Sequence, residues 1–199
     1  MIYAEFIERD HFMPLEIFRQ LGDQSSWTAA EDSLVGSFGR TMRLGPMPSY
    51  LAFWQCKGMA RMDEWEAHFN SPEAQFDHAE KATHRAIHLQ HGGCYDELVT
   101  GPAVDRAKLF CIEYFPAPSR ISSDEIMLRY RGRAATQSQA VLNFVMRRIG
   151  RLGPGPGGLA VWSFADYVAL EPFERARDDE DPLRPTEVGI YRWFGREVL

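Results

Sequence analysis

The 199-residue chain has few cysteines, no long apolar run and no excess of positive charge, and each absence excludes a class of protein. Its three cysteines, Cys56, Cys94 and Cys111, lack the CxxC spacing of a zinc site, so we predict reduced thiols and no bound metal. The longest apolar stretch, 50–54, is too short to cross a membrane. Acidic residues outnumber basic ones and give a net charge of −6, which argues against a nucleic-acid partner.

What is present is an ordinary globular composition, with 45% hydrophobic and 25% charged residues. The N-terminal residues MIYAEF lack the basic and then apolar segments of a secretory signal. We therefore expect a cytoplasmic protein.

The clearest feature is an internal repeat with an offset of 108 residues. The segments 43–54 (RLGPMPSYLAFW) and 151–162 (RLGPGPGGLAVW) align without a gap, and eight of the twelve positions are identical. The same offset pairs Glu5 with Glu113. We predict two tandem domains, 1–102 and 108–199, joined by a linker at 103–107.

Each copy begins with an apolar segment that is typical of a strand, at 2–8 and at 108–115. A helix should follow in both copies, and Ser122-Ser-Asp-Glu125 has the pattern of a capping box at the start of the second.

The segments 33–44 and 141–152 fit two structures. Alternation at Leu142, Phe144 and Met146 is typical of a strand, whereas Val141, Val145 and Ile149 fit a helical stripe. The turn-rich sequences LGPMPS and LGPGPGG that follow favour a hairpin in each copy, which is the interpretation we adopt.

A further helix is predicted to begin near Met62, and another to run from Ser71 to about Gln90, ended by Gly92-Gly93. Strands at 95–99 and 187–193 would close the two copies. The second copy is shorter by about a dozen residues, which we assign to its last helix. Each copy is then β-α-β-β-α-β, the ferredoxin-like motif, and the predicted class is α+β.

This order of elements, with a Trp-bearing strand that leads into MDEWEAHFNSPE (62–73), resembles the dimeric α+β barrel superfamily, in its EthD-like and NIPSNAP-like form. The resemblance implies that the two ferredoxin-like sheets pack as an intramolecular α+β barrel, and a homo-oligomer is compatible with it. The superfamily includes cofactor-free oxygenases, haem-active enzymes and small-molecule isomerases, so the fold does not assign the function. The Asn-Trp-His set of its haem-degrading branch is absent, because Glu5 stands where the Asn is required.

The most suggestive polar cluster lies on the predicted long helix of the first copy. At helical spacing Asp77, Glu80, His84, His88 and His91 form one stripe. Such a stripe could bind a metal or exchange protons with a ligand, or it could be the solvated flank of an amphipathic helix. A zinc site is not predicted, because Arg85 stands where the HExxH motif requires glutamate.

Arginines recur at equivalent positions, among them Arg40, Arg43 and Arg148. They could hold a carboxylate or an enolate, or they could pair with Glu5 and Glu113.

Three further residues are candidates because the fold would bring them to a pocket: Tyr3 and Trp65 as binding residues, and His11 in the connection after the first strand.

The leading hypothesis is a small-molecule enzyme that acts on an apolar or aromatic compound by His-mediated proton transfer or cofactor-free oxygenation. His84, His88 and His11 would be catalytic, and Tyr3, Arg40, Arg43 and Trp65 would bind the substrate. The alternative is a non-catalytic ligand-binding or assembly protein. Polar groups that converge on an enclosed cavity would favour the enzyme. The residues identify no cofactor.

Overall fold

A computed structural model of the chain describes residues 1–9, 34–42, 44, 48–69, 71–72, 87–150, 152–176 and 181–194. The strands are β1 (Ile2–Arg9), β2 (Leu34–Arg40), β3 (Tyr50–Gln55), β4 (Ile87–Thr100), β5 (Leu109–Phe115), β6 (Ala140–Arg148), β7 (Gly158–Phe164) and β8 (Glu187–Trp193). The helices within these ranges are α1 (Ala60–Phe69), α2 (Ser123–Thr136) and α3 (Tyr167–Arg175). The predicted helix after β1 lies outside the described residues, and so does the candidate residue His11 in the connection after that strand.

The eight strands form a closed antiparallel barrel in the order β1-β3-β2-β8-β5-β7-β6-β4. Every described strand therefore has two hydrogen-bonded neighbours. The fold is α+β, as the sequence predicts.

The two halves of the barrel have the same strand order, β4-β1-β3-β2 and β8-β5-β7-β6. Their registers also agree, since Glu5 pairs with Ala52 and Glu113 pairs with Ala160. The irregularity in β2 between Leu34 and Gly36 recurs in β6 between Leu142 and Phe144. Segments β2 and β6 are strands, so the hairpin interpretation of 33–44 and 141–152 is correct over the parts that the structure describes.

Two layers of apolar side chains hold the second half together. One fills the barrel, where Phe38 meets Phe110 edge-on at 5.0 Å between ring centroids. The other lies between the sheet and helices α2 and α3, where Trp162 meets Phe173 at 5.0 Å. Because successive residues of a strand point to opposite faces, β5 contributes Phe110 and Ile112 to the first layer and Cys111 to the second.

The helix starts follow local signals in the sequence. The Ser122 hydroxyl accepts a hydrogen bond from the backbone N–H of Glu125 at 3.1 Å, so the predicted cap of α2 is confirmed. Asp166 caps α3 in the same way, through the N–H of Ala169 at 2.9 Å.

The predicted helix from Ser71 to Gln90 is wrong at its C-terminal end, because β4 already begins at Ile87 and continues through Gly92-Gly93. The eight-residue strand β1 pairs with β4 along its whole length, from Ile2 with Tyr95 to Arg9 with Ile87. This long-range pairing overrides the local helical pattern. Residues 73–86, with Asp77, Glu80 and His84, lie outside the described residues.

Candidate functional site

A cavity of about 320 Å³ opens at the end of the barrel where β1 and β5 finish and β4 and β8 begin. The two hairpin turns, β2–β3 and β6–β7, each contribute prolines to its rim. Its described lining residues are Phe6, Glu8, Pro48, His91, Tyr114, Pro154, Gly155, Pro156, Thr186 and Glu187. The volume is at the lower end of the range for small-molecule sites, and it suits a compound of about one ring.

Two cross-strand pairs form the walls of this cavity. Phe6 of β1 pairs with His91 of β4, and Tyr114 of β5 pairs with Glu187 of β8. The two pairs occupy equivalent register positions in the two halves. The rings of Phe6 and Tyr114 meet edge-on across the barrel, with centroids 6.3 Å apart. The cavity is therefore built by both halves together.

The His91 imidazole stacks on Phe6, with ring centroids 5.0 Å apart and an interplanar angle of 13°. Burial lowers the pKa of His91 below its ordinary value of about 6.5, because it disfavours the charged imidazolium. The ring is consequently neutral near pH 7, and one of its nitrogens can accept a proton.

Three buried tyrosines surround the cavity and stay protonated. The Tyr191 hydroxyl donates to the Pro48 carbonyl at 3.2 Å, and the Tyr114 hydroxyl lies 3.5 Å from that of Tyr191. Tyr95 makes the equivalent bond to the Pro156 carbonyl at 3.2 Å. Burial raises the pKa of Tyr191 to about 12 and raises the pKa values of Tyr114 and Tyr95 as well. These phenols can donate hydrogen bonds but do not supply a base near neutral pH.

Glu8 is a buried carboxylate in the cavity wall, only 3% exposed. It accepts hydrogen bonds from the backbone N–H of Ser49 at 2.8 Å and from the Ser49 hydroxyl at 2.6 Å. Within the described part of the chain no ion pair reaches Glu8 or Glu187. The cavity therefore holds two carboxylates without a described counter-ion.

A second polar group lies on the outer face of the sheet in the first half. Trp54 donates its indole N–H to Glu5 at 3.2 Å. Tyr3 stands between Trp54 and Cys94 in the cross-strand register. Burial, with a smaller contribution from the Glu5 charge, raises the pKa of Tyr3 to about 12.

The equivalent face of the second half is filled by protein side chains. Trp162 donates to Glu113 at 2.9 Å, and Arg133 of α2 forms an ion pair with the same carboxylate at 2.9 Å. The Arg133 guanidinium also lies over the rings of Trp162 and Phe173, at 5.0 and 4.3 Å. Glu113 is 0% exposed, and its partner is Arg133, which replaces the predicted partners among the repeated arginines.

The residues predicted from the sequence are not gathered at one described site. Tyr3 lies on the outer face of β1, and Arg40 ends β2 beside Tyr191, where it pairs with that residue in the register. His88 lies in strand β4 and Trp65 lies in α1. His84 and Arg43, like His11, lie outside the described residues. The helical stripe is wrong for His88 and His91, since both belong to β4.

Sequence reasoning missed Glu8, Tyr114 and Glu187, and it placed His91 on a helix. A signal for three of these residues was available. The 108-residue offset aligns Phe6 with Tyr114, and an alignment of Tyr95 with Tyr191 places His91 opposite Glu187. These pairs differ in chemistry, whereas Glu5 matches Glu113 and Gly93 matches Gly189 in the same alignments.

Metal and membrane sites are not found within the residues that the structure describes. No group of three or more His, Cys, Asp or Glu side chains among them could hold a metal ion. None of the described helices has the length and apolar character needed to cross a membrane.

No protein-family model matches the chain, and no curated protein sequence matches it. Solved structures do share its fold. An anthrone oxidase-like protein has a TM-score of 0.62 and 10% identity, with 96% of this chain and 90% of that chain covered. A proposed monooxygenase from Lactobacillus acidophilus NCFM has a TM-score of 0.56 and 10% identity, with 98% and 96% covered. A mutant chlorite dismutase from Candidatus Nitrospira defluvii has a TM-score of 0.51 and 9% identity, with 96% and 90% covered.

At these identities the likeness shows the fold alone. The chain has the α+β barrel fold that the resemblance implies.

Proposed function

We propose that the chain is a small-molecule enzyme that binds an apolar or aromatic compound in the cavity at the end of the barrel, called the axial cavity below. His91 would move a proton on that compound. One observation carries this proposal. His91 is a neutral imidazole stacked on Phe6, and the opposite wall of the same cavity presents Tyr114 and Glu187.

Binding would come from the apolar walls. The ring of Phe6 and the prolines Pro48, Pro154 and Pro156 present carbon surface to the cavity. Burial of a single aromatic ring against such surface is a large favourable term, since aromatic groups bury 150–250 Å² each. The cavity volume of about 320 Å³ limits the ligand to roughly this size.

Proton transfer would use the difference between the two walls. His91 is the group whose protonation state changes nearest to neutral pH, which suits a general base. Tyr114 stays protonated and could donate a hydrogen bond to the oxygen of a carbonyl that gains negative charge when the adjacent C–H loses its proton.

The same proton abstraction would also begin a cofactor-free oxygenation, in which molecular oxygen takes electrons from the resulting carbanion. The anthrone oxidase-like protein with this fold supports an aromatic substrate.

The proposal includes two tandem ferredoxin-like repeats, 1–102 and 108–199, joined by the linker 103–107. Each repeat would supply one of the two walls of the cavity. The equal registers of Glu5 with Ala52 and of Glu113 with Ala160 support a duplication. The proposal does not rest on the EthD-like or NIPSNAP-like form of the fold. It assigns no role to His11, His84 or Arg43.

The test is exchange of acidic C–H protons in D₂O, followed by proton NMR on ring-sized aryl ketones and anthrone-type compounds. A proton-transfer enzyme exchanges the acidic C–H of its substrate even where no later step follows. We expect H91Q to slow this exchange by about 100-fold or more while the protein stays folded. The matched control is the double variant H84Q/H88Q, which removes two of the histidines that the sequence analysis predicts to be catalytic. Exchange lost in the control and retained in H91Q would move the site away from the axial cavity.

A further inference from the structure

The charge of the axial cavity is uneven. Glu8 and Glu187 both line it, and its described lining residues include no lysine or arginine. Glu8 is the more informative of the two, because it is buried, accepts hydrogen bonds from Ser49 and forms no ion pair within the described residues. A buried carboxylate without a positive partner is unfavourable, so a cation in the cavity would stabilise it.

Two described arginines, Arg40 and Arg148, end the strands that lead into the two hairpin turns at the cavity rim. Arg148 uses its Nη1 for the carbonyls of Gly153 and Gly155 in the β6–β7 turn. Arg40 stands beside Tyr191, where its positive charge partly offsets the effect of burial on the pKa of that phenol. Neither guanidinium is among the lining residues.

The aromatic walls favour the same kind of ligand. The rings of Phe6 and Tyr114 stand edge to face at the cavity, and a cation within about 6 Å of an aromatic face is attracted by the ring quadrupole. His91 adds no opposing positive charge, because burial keeps its imidazole neutral near pH 7.

We propose that the ligand of the axial cavity is an aryl ketone that also carries a protonated alkyl amine, with its ammonium group between Glu8 and Glu187 and its ring against Phe6 and Tyr114. This inference rests on the proposed function, since the C–H beside the carbonyl remains the proton that His91 would remove, and it adds the ammonium group by which the substrate is recognised. The ammonium group offers three N–H donors, which suits a cavity lined by two carboxylates from different strands.

The experiment compares three probes of equal size at pH 7: 2-phenylethylamine, 2-phenylethanol and phenylacetate. Binding is measured by calorimetric titration, and the ring NMR signals of His91 report whether the cavity is occupied. We expect the amine to bind at least about tenfold more tightly than the alcohol and the carboxylate to bind most weakly.

The variants E8Q and E187Q should each weaken amine binding by about tenfold and leave alcohol binding unchanged. Glu187 is exposed at the start of β8, so E187Q tests the inference even where E8Q perturbs folding. The matched control is E171Q, which removes the same charge from the exposed surface of α3 and should change neither affinity.

The outcomes separate this inference from the proposed function. Equal binding of amine and alcohol, with shifted His91 signals, would overturn the amine and leave the cavity as the site. Tighter binding of phenylacetate would overturn it as well. No shift of the His91 signals with any of the three probes would overturn both.

Discussion

The two halves of the barrel share their backbone arrangement and differ in the side chains that carry charge. In both halves a strand tryptophan donates to a glutamate, Trp54 to Glu5 at 3.2 Å and Trp162 to Glu113 at 2.9 Å. In the second half Arg133 completes this group with an ion pair. At the 108-residue offset the sequence has Ser25 where the second copy has Arg133.

A similar contrast occurs along the barrel axis. Phe6 and His91 in one half correspond to Tyr114 and Glu187 in the other, at equal register positions. The two tryptophans are shared, whereas the positions that differ place an imidazole, a phenol and a carboxylate around one cavity. A symmetric scaffold thus holds an asymmetric set of chemical groups.

The largest expected effect on stability concerns the ion pair that is described on the outer face of the second half. Replacing Arg133 with methionine leaves Glu113 charged, fully buried and without its cation. We expect the free energy of unfolding to fall by about 3 kcal/mol or more, measured by urea denaturation. The matched control is R129M on the same helix, where exposed pairs with Glu125 and Asp181 should contribute less than about 1 kcal/mol. Equal losses in the two variants would mean that the second half is not held by its buried pair.

The next effect concerns the turn of the β6–β7 hairpin. Gly153 has φ of +89°, and a Cβ there would collide with the Gly92 carbonyl oxygen of β4. G153A should therefore destabilise the protein by about 2 kcal/mol, from backbone strain together with the displaced contact.

Gly150 provides the control for this turn. Its φ is also positive, at +54°, but a Cβ there would meet open space. G150A should cost only about 1 kcal/mol. If thermal unfolding shows that G153A loses no more stability than G150A, the β6–β7 turn is not in tight contact with β4 of the first half.

Much of the fold could be predicted from the sequence because the repeat supplied long-range information. The matched segments 43–54 and 151–162 predicted equivalent hairpins, and the turn residues within them favoured strands where periodicity alone was ambiguous. The capping box at Ser122 is a local signal, and it correctly gave the start of α2.

The start of β4 could not be predicted in the same way. The four residues from Ile87 to Gln90 alternate between apolar and polar, which fits a strand, yet the preceding residues continue a helical stripe into Ile87. The pairing with β1 decides the outcome, and that pairing joins residues about 80 positions apart in the sequence.

The cavity has no local signature for a related reason. Its walls come from β1, β4, β5 and β8, and only closure of the barrel brings Phe6 next to Tyr114. The sequence predicts the polar stripe that includes His91 on a helix of the first copy. The structure instead places His91 on a strand inside the barrel.

A smaller effect tests whether the halves are joined symmetrically. Tyr95 and Tyr191 each donate to a proline carbonyl of the opposite half, at Pro156 and Pro48. Y95F and Y191F should each lower the free energy of unfolding by about 1 kcal/mol, because a buried carbonyl loses its donor. Y191F should cost somewhat more, since Tyr191 also contacts the Tyr114 hydroxyl. If chemical denaturation shows a loss of stability in only one of the two variants, the two hydrogen bonds between the halves are not equivalent.

The smallest effect is a pH dependence that only the His91 wall should show. Burial lowers the pKa of His91 in the folded protein, whereas the unfolded chain keeps a value of about 6.5. Above pH 6.5 the imidazole is neutral in both states and has no influence. As the pH falls from 6.5 through the lower folded pKa, only the unfolded chain binds the proton, so unfolding becomes easier. Below the folded pKa both states are protonated and the loss is complete.

Urea midpoints of the wild type and H91Q, measured from pH 8 to pH 5, should therefore diverge as the pH falls, with the wild type losing more stability than the variant. The difference should be smaller than the effect of either tyrosine change, because His91 is only half-buried. The opposite sign, a wild type that gains stability relative to H91Q at low pH, would mean that the imidazolium finds an anionic partner in the folded state. Glu8 and Glu187 are the two carboxylates that line the same cavity. That result would make the His91 wall cationic below neutral pH, and it would remove the neutral base on which the contrast between the two walls depends.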